Sequence, residues 1–268
     1  MVTAYQLIKS ITDGIRGEHM EVITIANQKG GVGKTTTASV LISGLTEKGY
    51  KVLGIDLDAQ TNLTTSMGAD SKRTALGVLT GECEAADAIV HTPTGDLIPS
   101  STRLSTADVL LDETGKEYKL TEAIESIKKD YDYIIIDTPP SLGILTINAL
   151  TACDYAIVPA QADLYSLQGI SELAKTIDAI RKYTNPHIKV AGILLTMFNG
   201  RTRIAQEVVE ILEKLAAQLN TKVFKTKIRA SVKATEIQFK KGGLFKYAPR
   251  ATVTEDYRNW IEELLRTL

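Results

Sequence analysis

A strand-length apolar run, "EVITIAN" (21–27), passes directly into "QKGGVGKTTT" (28–37), and no other stretch restricts the fold as much. Glycines this close together let consecutive backbone N–H groups converge on one point, the geometry that cradles phosphate. A helix starting at the following lysine and threonines adds unpaired donors and about half a positive charge. The usual pattern of such a loop is G-x-x-x-x-G-K-[ST]. Gly33, Lys34 and Thr35 complete it, but position 28, where its first glycine should stand, holds Gln28. Beside it come a second lysine, Lys29, and the displaced Gly30.

The remaining chain alternates strands with helices. Strands are expected at "KVLGIDLD" (51–58), near "LIPSS" (97–101), and at 131–141, 154–161, 188–198 and 222–228. Helices are expected from the loop to about Lys48, and at 116–130, 166–183, 202–219, 231–240 and 254–268. Most of these strands are continuous apolar runs, as strands buried on both faces are. The expectation is an α/β fold: a mostly parallel twisted sheet with helices on both faces, of the P-loop type. Residues 1–20 read as a short amphipathic extension and 21–268 as a single domain.

Composition excludes several classes. The 268 residues are 44% hydrophobic and 24% charged, as in ordinary globular chains. No apolar run approaches the roughly 20 residues of a membrane span, and the N-terminus lacks a secretory apolar core. A cytoplasmic protein is the expectation. Cys83 and Cys153 are far apart without metal-site spacing and read as buried thiols; His19, His91 and His187 read as structural or exposed. Charge is distributed unevenly. Residues 222–250 hold nine basic side chains against one acid, Glu236, so they carry +8 while the rest carries −9. Such asymmetry points to an anionic partner.

Three groups of residues support phosphate chemistry. In the loop, Lys34 can bridge the β- and γ-phosphates and the Thr35 hydroxyl can ligate Mg²⁺. "IIIDTPP" carries Asp137 to the C-terminal end of a buried strand, where parallel sheets bind ligands; a carboxylate buried there makes sense beside a cation. "IDLDAQTN" places Asp56 and Asp58 at a second strand end. Asp56 reads as structural, and Asp58 as able to orient a water against the γ-phosphate.

Together, K-G-G-V-G-K-T-T (29–36), D-L-D-A-Q (56–60) and I-D-T-P-P-S (136–141) resemble the deviant-Walker ATPases, specifically the ParA/Soj partition ATPases. "VPAQADLYSLQGISEL" (158–173) and "GILLTMFNGRT" (192–202) extend the likeness. The resemblance implies ATP and Mg²⁺ as cofactors and a nucleotide-sandwich homodimer formed on ATP binding. Lys29 would reach the partner's nucleotide, and Gly30 would lie where the two subunits approach. Gly31, Val32, Gly33, Lys34, Thr35 and Thr36 would hold the phosphates, Thr35, Asp58 and Asp137 the Mg²⁺ side. Lys29, Lys34 and Asp58 would act in hydrolysis. The resemblance further implies non-specific double-stranded DNA binding on the nucleoid, with a ParB-type centromere-binding partner stimulating hydrolysis to segregate a plasmid or chromosome. Arg201, Arg229 and Lys233 are the candidate DNA contacts, the last two inside the +8 segment. Where the family usually has a proline before the first arginine, this chain has Ile228, and an asparagine after it is replaced by Ala230. Ile228 and Asn199 are left as candidate contacts to the base.

Two other readings share the loop. A MinD-like membrane-cycling ATPase needs a C-terminal amphipathic helix with a basic polar face. Trp260, Ile261, Leu264, Leu265 and Leu268 do form a stripe, but residues 255–268 carry net −2, which anionic lipid repels. The stripe is expected to pack on the core, with no membrane partner. An iron protein resembling nitrogenase reductase would leave the basic segment without a role.

Overall fold

Alternate residues of the apolar runs face opposite ways, and in the computed structural model both sides are covered. The structure describes residues 20–200, 203–237 and 242–268. The strand Glu21–Ile25 (β1) leads through the glycine loop into the helix Lys34–Glu47 (α1), then Val52–Asp56 (β2) and Asn62–Met67 (α2). Short helices Ala75–Leu79 (α3) and Ala85–Ala88 (α4) precede a hairpin of Val90–Thr92 (β3) and Gly95–Ile98 (β4). Ala107–Leu110 (α5) and Lys119–Glu125 (α6) lead to Tyr133–Asp137 (β5), Ile144–Ala152 (α7) and Tyr155–Ala160 (β6). Leu164–Tyr183 (α8), Lys189–Leu195 (β7) and Arg203–Gln218 (α9) follow, and the chain ends in Val232–Glu236 (α10), Gly243–Tyr247 (α11) and Thr252–Leu265 (α12).

Among the described residues one seven-stranded sheet forms, in the order β3-β4-β2-β5-β1-β6-β7. Only β3 runs antiparallel to its neighbour. On one face Val22, Ile55, Ile134 and Ile136 pack with Leu145 of α7, Ile170 and Ile177 of α8 and Leu212 of α9. On the other, Ile23, Ile25 and Ile135 pack with Leu41 and Leu45 of α1 and Trp260 and Leu264 of α12. The C-terminal stripe is therefore core: Trp260 and Leu264 are fully buried, and Leu265 and Leu268 pack against the same cluster. No helix among the described residues is long and apolar enough to cross a membrane.

The structure corrects four expectations. Residues 222–228 are not a strand. They run beside β7, with Phe224 N–H donating to the Ile193 carbonyl (2.9 Å) and Ile228 N–H to Leu195 (2.8 Å). Between these, the N–H groups of Lys225 and Thr226 turn to the Glu263 carboxylate (2.8 and 2.9 Å), which interrupts the ladder. A helix over 231–240 is not continuous through its described part: α10 spans only Val232–Glu236. Helix α7 was not expected, because nearly every position on it is buried and no polar face marks its period. Cys153 is buried as expected, but Cys83 is only half-buried. Residues 1–19 of the expected extension, and Arg201, lie outside the described residues.

Candidate functional site

The glycine loop leaves β1 at the C-terminal edge of the sheet, between the ends of β5 and β6. Gly31 (φ 74°) and Gly33 (φ 85°) hold the left-handed backbone its turn requires. Gly33 is the residue before α1, with no side-chain cap and no acidic residue in the first turn, so those N–H groups are open to an anion. The loop is tied down elsewhere. Thr196 Oγ1 donates to the Val32 carbonyl (2.8 Å), Gln161 Nε2 to Gly31 (3.3 Å), and Asn27 Nδ2 to Pro159 (2.6 Å).

The two lysines are held differently. Lys34 is buried and its ammonium donates to the Lys29 carbonyl (3.2 Å). Burial lowers its pKa against the pull of Asp137 and Asp58, so the ammonium lacks a full counter-charge. Lys29 instead ion-pairs with Asp163, the cap of α8, whose other oxygen accepts from Ser166 N–H (2.9 Å). Burial opposes ionisation of Asp163, but its bonds from Lys29 and Ser166 prevail and its pKa falls.

Parallel pairing of β2 and β5 puts Asp56 and Asp137 side by side. Asp56 accepts from Asp58 N–H (3.1 Å), Thr64 N–H (2.8 Å) and the Thr64 hydroxyl (2.7 Å), the structural role expected. Burial nevertheless lifts its pKa to about 6. Asp137 is fully buried, and neither carboxylate oxygen has a hydrogen-bond partner. Burial, then the neighbouring Asp56 charge, push its pKa well above the usual range, and Thr35 and Lys34 offset this only partly. An orphaned carboxylate of this kind fits a cation. Thr35, Asp137 and Asp58 would hold Mg²⁺. No group of three or more acidic, histidine or cysteine side chains forms a metal cage among the described residues. Phosphate oxygens and water would complete the shell, as is usual for this ion. When bound, Mg²⁺ neutralises charge on the reacting phosphates.

A cavity of about 440 Å³ opens above these groups. Gly30, Gly31, Gly33, Lys34, Thr35, Thr36 and Asp58 line it, together with Ile228, as the sequence suggested. Asp137, wholly buried at the end of β5, is not among the lining residues, and Val32 is wholly buried, serving through its carbonyl. Asn199, Lys29 and Lys233 do not line it, whereas Arg229, assigned to DNA, does. Gln60, Asn62, Met197 and Tyr257 also line it without having been expected. Gln60 and Asn62 follow Asp58 closely and were within reach of motif reading. Tyr257 comes from the last helix, and nothing local marks it.

A strand–loop–helix that leaves backbone donors and a buried lysine facing a cavity lined by Asp58 defines a P-loop nucleotide hydrolase. The AAA_31 family model, an AAA domain, matches residues 20–190. The sporulation initiation inhibitor protein Soj of Bacillus subtilis is 38% identical over 250 residues, covering 91% of this chain and 98% of Soj. The chromosome partitioning protein ParA of Caulobacter vibrioides is 40% identical over 225 residues, covering 81% and 83%. A solved Mycobacterium smegmatis structure, named cobyrinic acid a,c-diamide synthase and holding ADP and magnesium, superposes with TM-score 0.80. It is 34% identical and covers 92% of this chain and 95% of its own. The chain belongs to the ParA/Soj family of chromosome-partitioning ATPases. It is an ATPase, with ATP and Mg²⁺ as cofactors.

Proposed function

We propose that this ATPase is the nucleotide switch of a DNA-partition system. ATP closes two copies into a sandwich dimer, the dimer binds double-stranded DNA without sequence preference, and a ParB-type partner stimulates hydrolysis and releases it. Plasmid or chromosome segregation on the nucleoid, in the cytoplasm, is the outcome.

Gly30 carries this reading. It is exposed and has no left-handed backbone, and a Cβ built on it meets nothing within 4 Å. Among the described residues a side chain at Gly30 would clash with nothing inside the subunit, which suits a position where a second copy approaches. Leu164 and Tyr165 stay exposed at the start of α8, the Tyr165 ring 6.0 Å from Lys29 Nζ, which suits a face covered by a second copy. On this reading Lys29 leaves Asp163 to reach the partner's nucleotide, and Asp58 orients the attacking water. Lys233 is half exposed in the basic segment and, with Arg201, would supply phosphate contacts. Arg229 is already engaged by Asp256, and its role is taken up below.

Gly30→Val tests the dimer. The variant is expected to fold and to bind ATP, but to stay monomeric by light scattering where wild type with ATP dimerises. Retention on duplex DNA should require ATP and fall steeply with salt, by roughly 10³-fold or more between 50 and 200 mM if six or more phosphates are contacted. Wild type that stays monomeric with ATP, or ignores DNA at low salt, ends this reading.

A further inference from the structure

The basic segment contains one arginine that does not behave as an open surface charge. Arg229 lines the nucleotide cavity. Its Nε donates to both oxygens of Asp256 (2.9 and 3.1 Å), and its Nη2 donates to Asp256 (2.6 Å) and to the Thr252 carbonyl (3.3 Å). Its own backbone N–H also donates to Asp256 (3.0 Å). The Asp256 side chain is only 10% exposed, on α12 beside the buried Tyr257 and Trp260, whereas that of Arg229 is 52% exposed. The Nε/Nη2 edge of the planar guanidinium is thus fixed to a helix, in a residue that also lines the cavity.

The glycine loop, Lys34 and Asp58 line the part of the cavity suited to phosphates, and Met197 and Tyr257 reach the same part, one beside Gly33 and the other toward Thr37. Ile228, Arg229, Ser231, Ala234 and Thr235 line the cavity from the segment that leads into α10 and from α10 itself. A nucleotide with its phosphates on the loop leaves its base to this second lining. We propose that Arg229, held by Asp256, is a nucleobase-positioning residue whose guanidinium plane stacks on the base of the bound nucleotide. Guanidinium planes stack on aromatic faces, which a lysine ammonium does not reproduce. Stacking reads a π-face rather than a base edge, so Arg229 contributes to affinity for any purine and does not select adenine over guanine. This inference rests on the nucleotide occupying this cavity and is independent of the DNA cycle.

The decisive variant is Arg229→Lys in the full chain, since lysine keeps a cation beside Asp256 and removes only the plane. Affinities for ATP, GTP and inorganic tripolyphosphate are measured by calorimetry without DNA, with a thermal melt as the folding control. The expected result is about tenfold weaker binding of both ATP and GTP, with tripolyphosphate unchanged. Asp256→Asn, which loosens the plane, is expected to give a smaller loss in the same pattern, and it serves if Arg229→Lys fails to fold. An equal loss for all three ligands makes Arg229 a general electrostatic or structural residue and overturns the proposal. Unchanged ATP binding combined with lost DNA retention makes it a DNA contact, which overturns the proposal as well. Wild type that binds ATP but no DNA would sink the partition reading and leave this one standing.

Discussion

Lys34→Ala is expected to weaken ATP binding by roughly two to three orders of magnitude while the protein stays folded. Truncating one partner of a buried, hydrogen-bonded charge pair costs about 2–5 kcal/mol, much of it from leaving the other charge unmatched. Lys34 is only 6% exposed and opens onto the cavity at the first turn of α1. Without nucleotide its ammonium donates to the Lys29 carbonyl, and burial already weakens its hold on the proton. Removing it takes away a poorly compensated charge, so the melting temperature should change little. The γ-phosphate would then face Asp58 and the buried Asp137 without the ammonium at the start of α1. Calorimetric titration against a melting control separates the two effects. Binding within about fivefold of wild type would falsify the assignment of Lys34 to the phosphates.

What was legible in the sequence follows from how local each feature is. The loop, the strands beside it and the carboxylates at the ends of β2 and β5 announce themselves through spacing within about ten residues, so Lys34, Thr35, Asp58 and Asp137 could be singled out as candidates, and the first three do line the cavity. The Lys29–Asp163 pair joins residues 134 apart, and only the cap signature in "ADLYS", an aspartate three residues before a serine whose N–H it accepts, hinted that Asp163 was placed. Arg229 shows a different limit. The resemblance and the +8 segment made it a candidate DNA contact, and neither could reveal that Asp256, on a helix 27 residues later, holds it at the lining of the cleft. The same helix explains its own acidity. Asp256 holds Arg229, Glu262 pairs with Lys48, and Glu263 takes two backbone N–H groups from the basic segment. Net charge on a segment says nothing of which charges are already spent. Residues 222–228 show the same limit for strands, since alternation of Val223 and Phe224 with lysines cannot reveal that Glu263 captures the ladder's donors.

Asp137→Asn should have the opposite signature to Lys34→Ala: a more stable nucleotide-free protein and a lost response to Mg²⁺. The native carboxylate is fully buried with both oxygens unpaired, beside the ionisable Asp56. Replacing it by a neutral amide removes the ionisation that burial opposes, and each kcal/mol gained raises the melting temperature by roughly 2–4 °C for a chain this size. The pH dependence has a definite sign. Burial raises the Asp137 pKa above its unfolded value, so folding takes up a proton, and wild-type stability falls as pH rises from the ordinary carboxylate range toward neutrality. The advantage of asparagine is therefore largest near neutral pH and shrinks on acidification. Saturating ATP with Mg²⁺ should stabilise wild type by about 2.7 kcal/mol at a hundredfold excess over Kd, whereas the variant should melt alike with Mg²⁺ and with chelator. Melts of both proteins, without nucleotide, with ATP and chelator, and with ATP and Mg²⁺, test both halves together. A variant that loses stability without nucleotide yet keeps its Mg²⁺ response would mean that the carboxylate braces the sheet end. The cation would then have to be held by Thr35 and Asp58 without it.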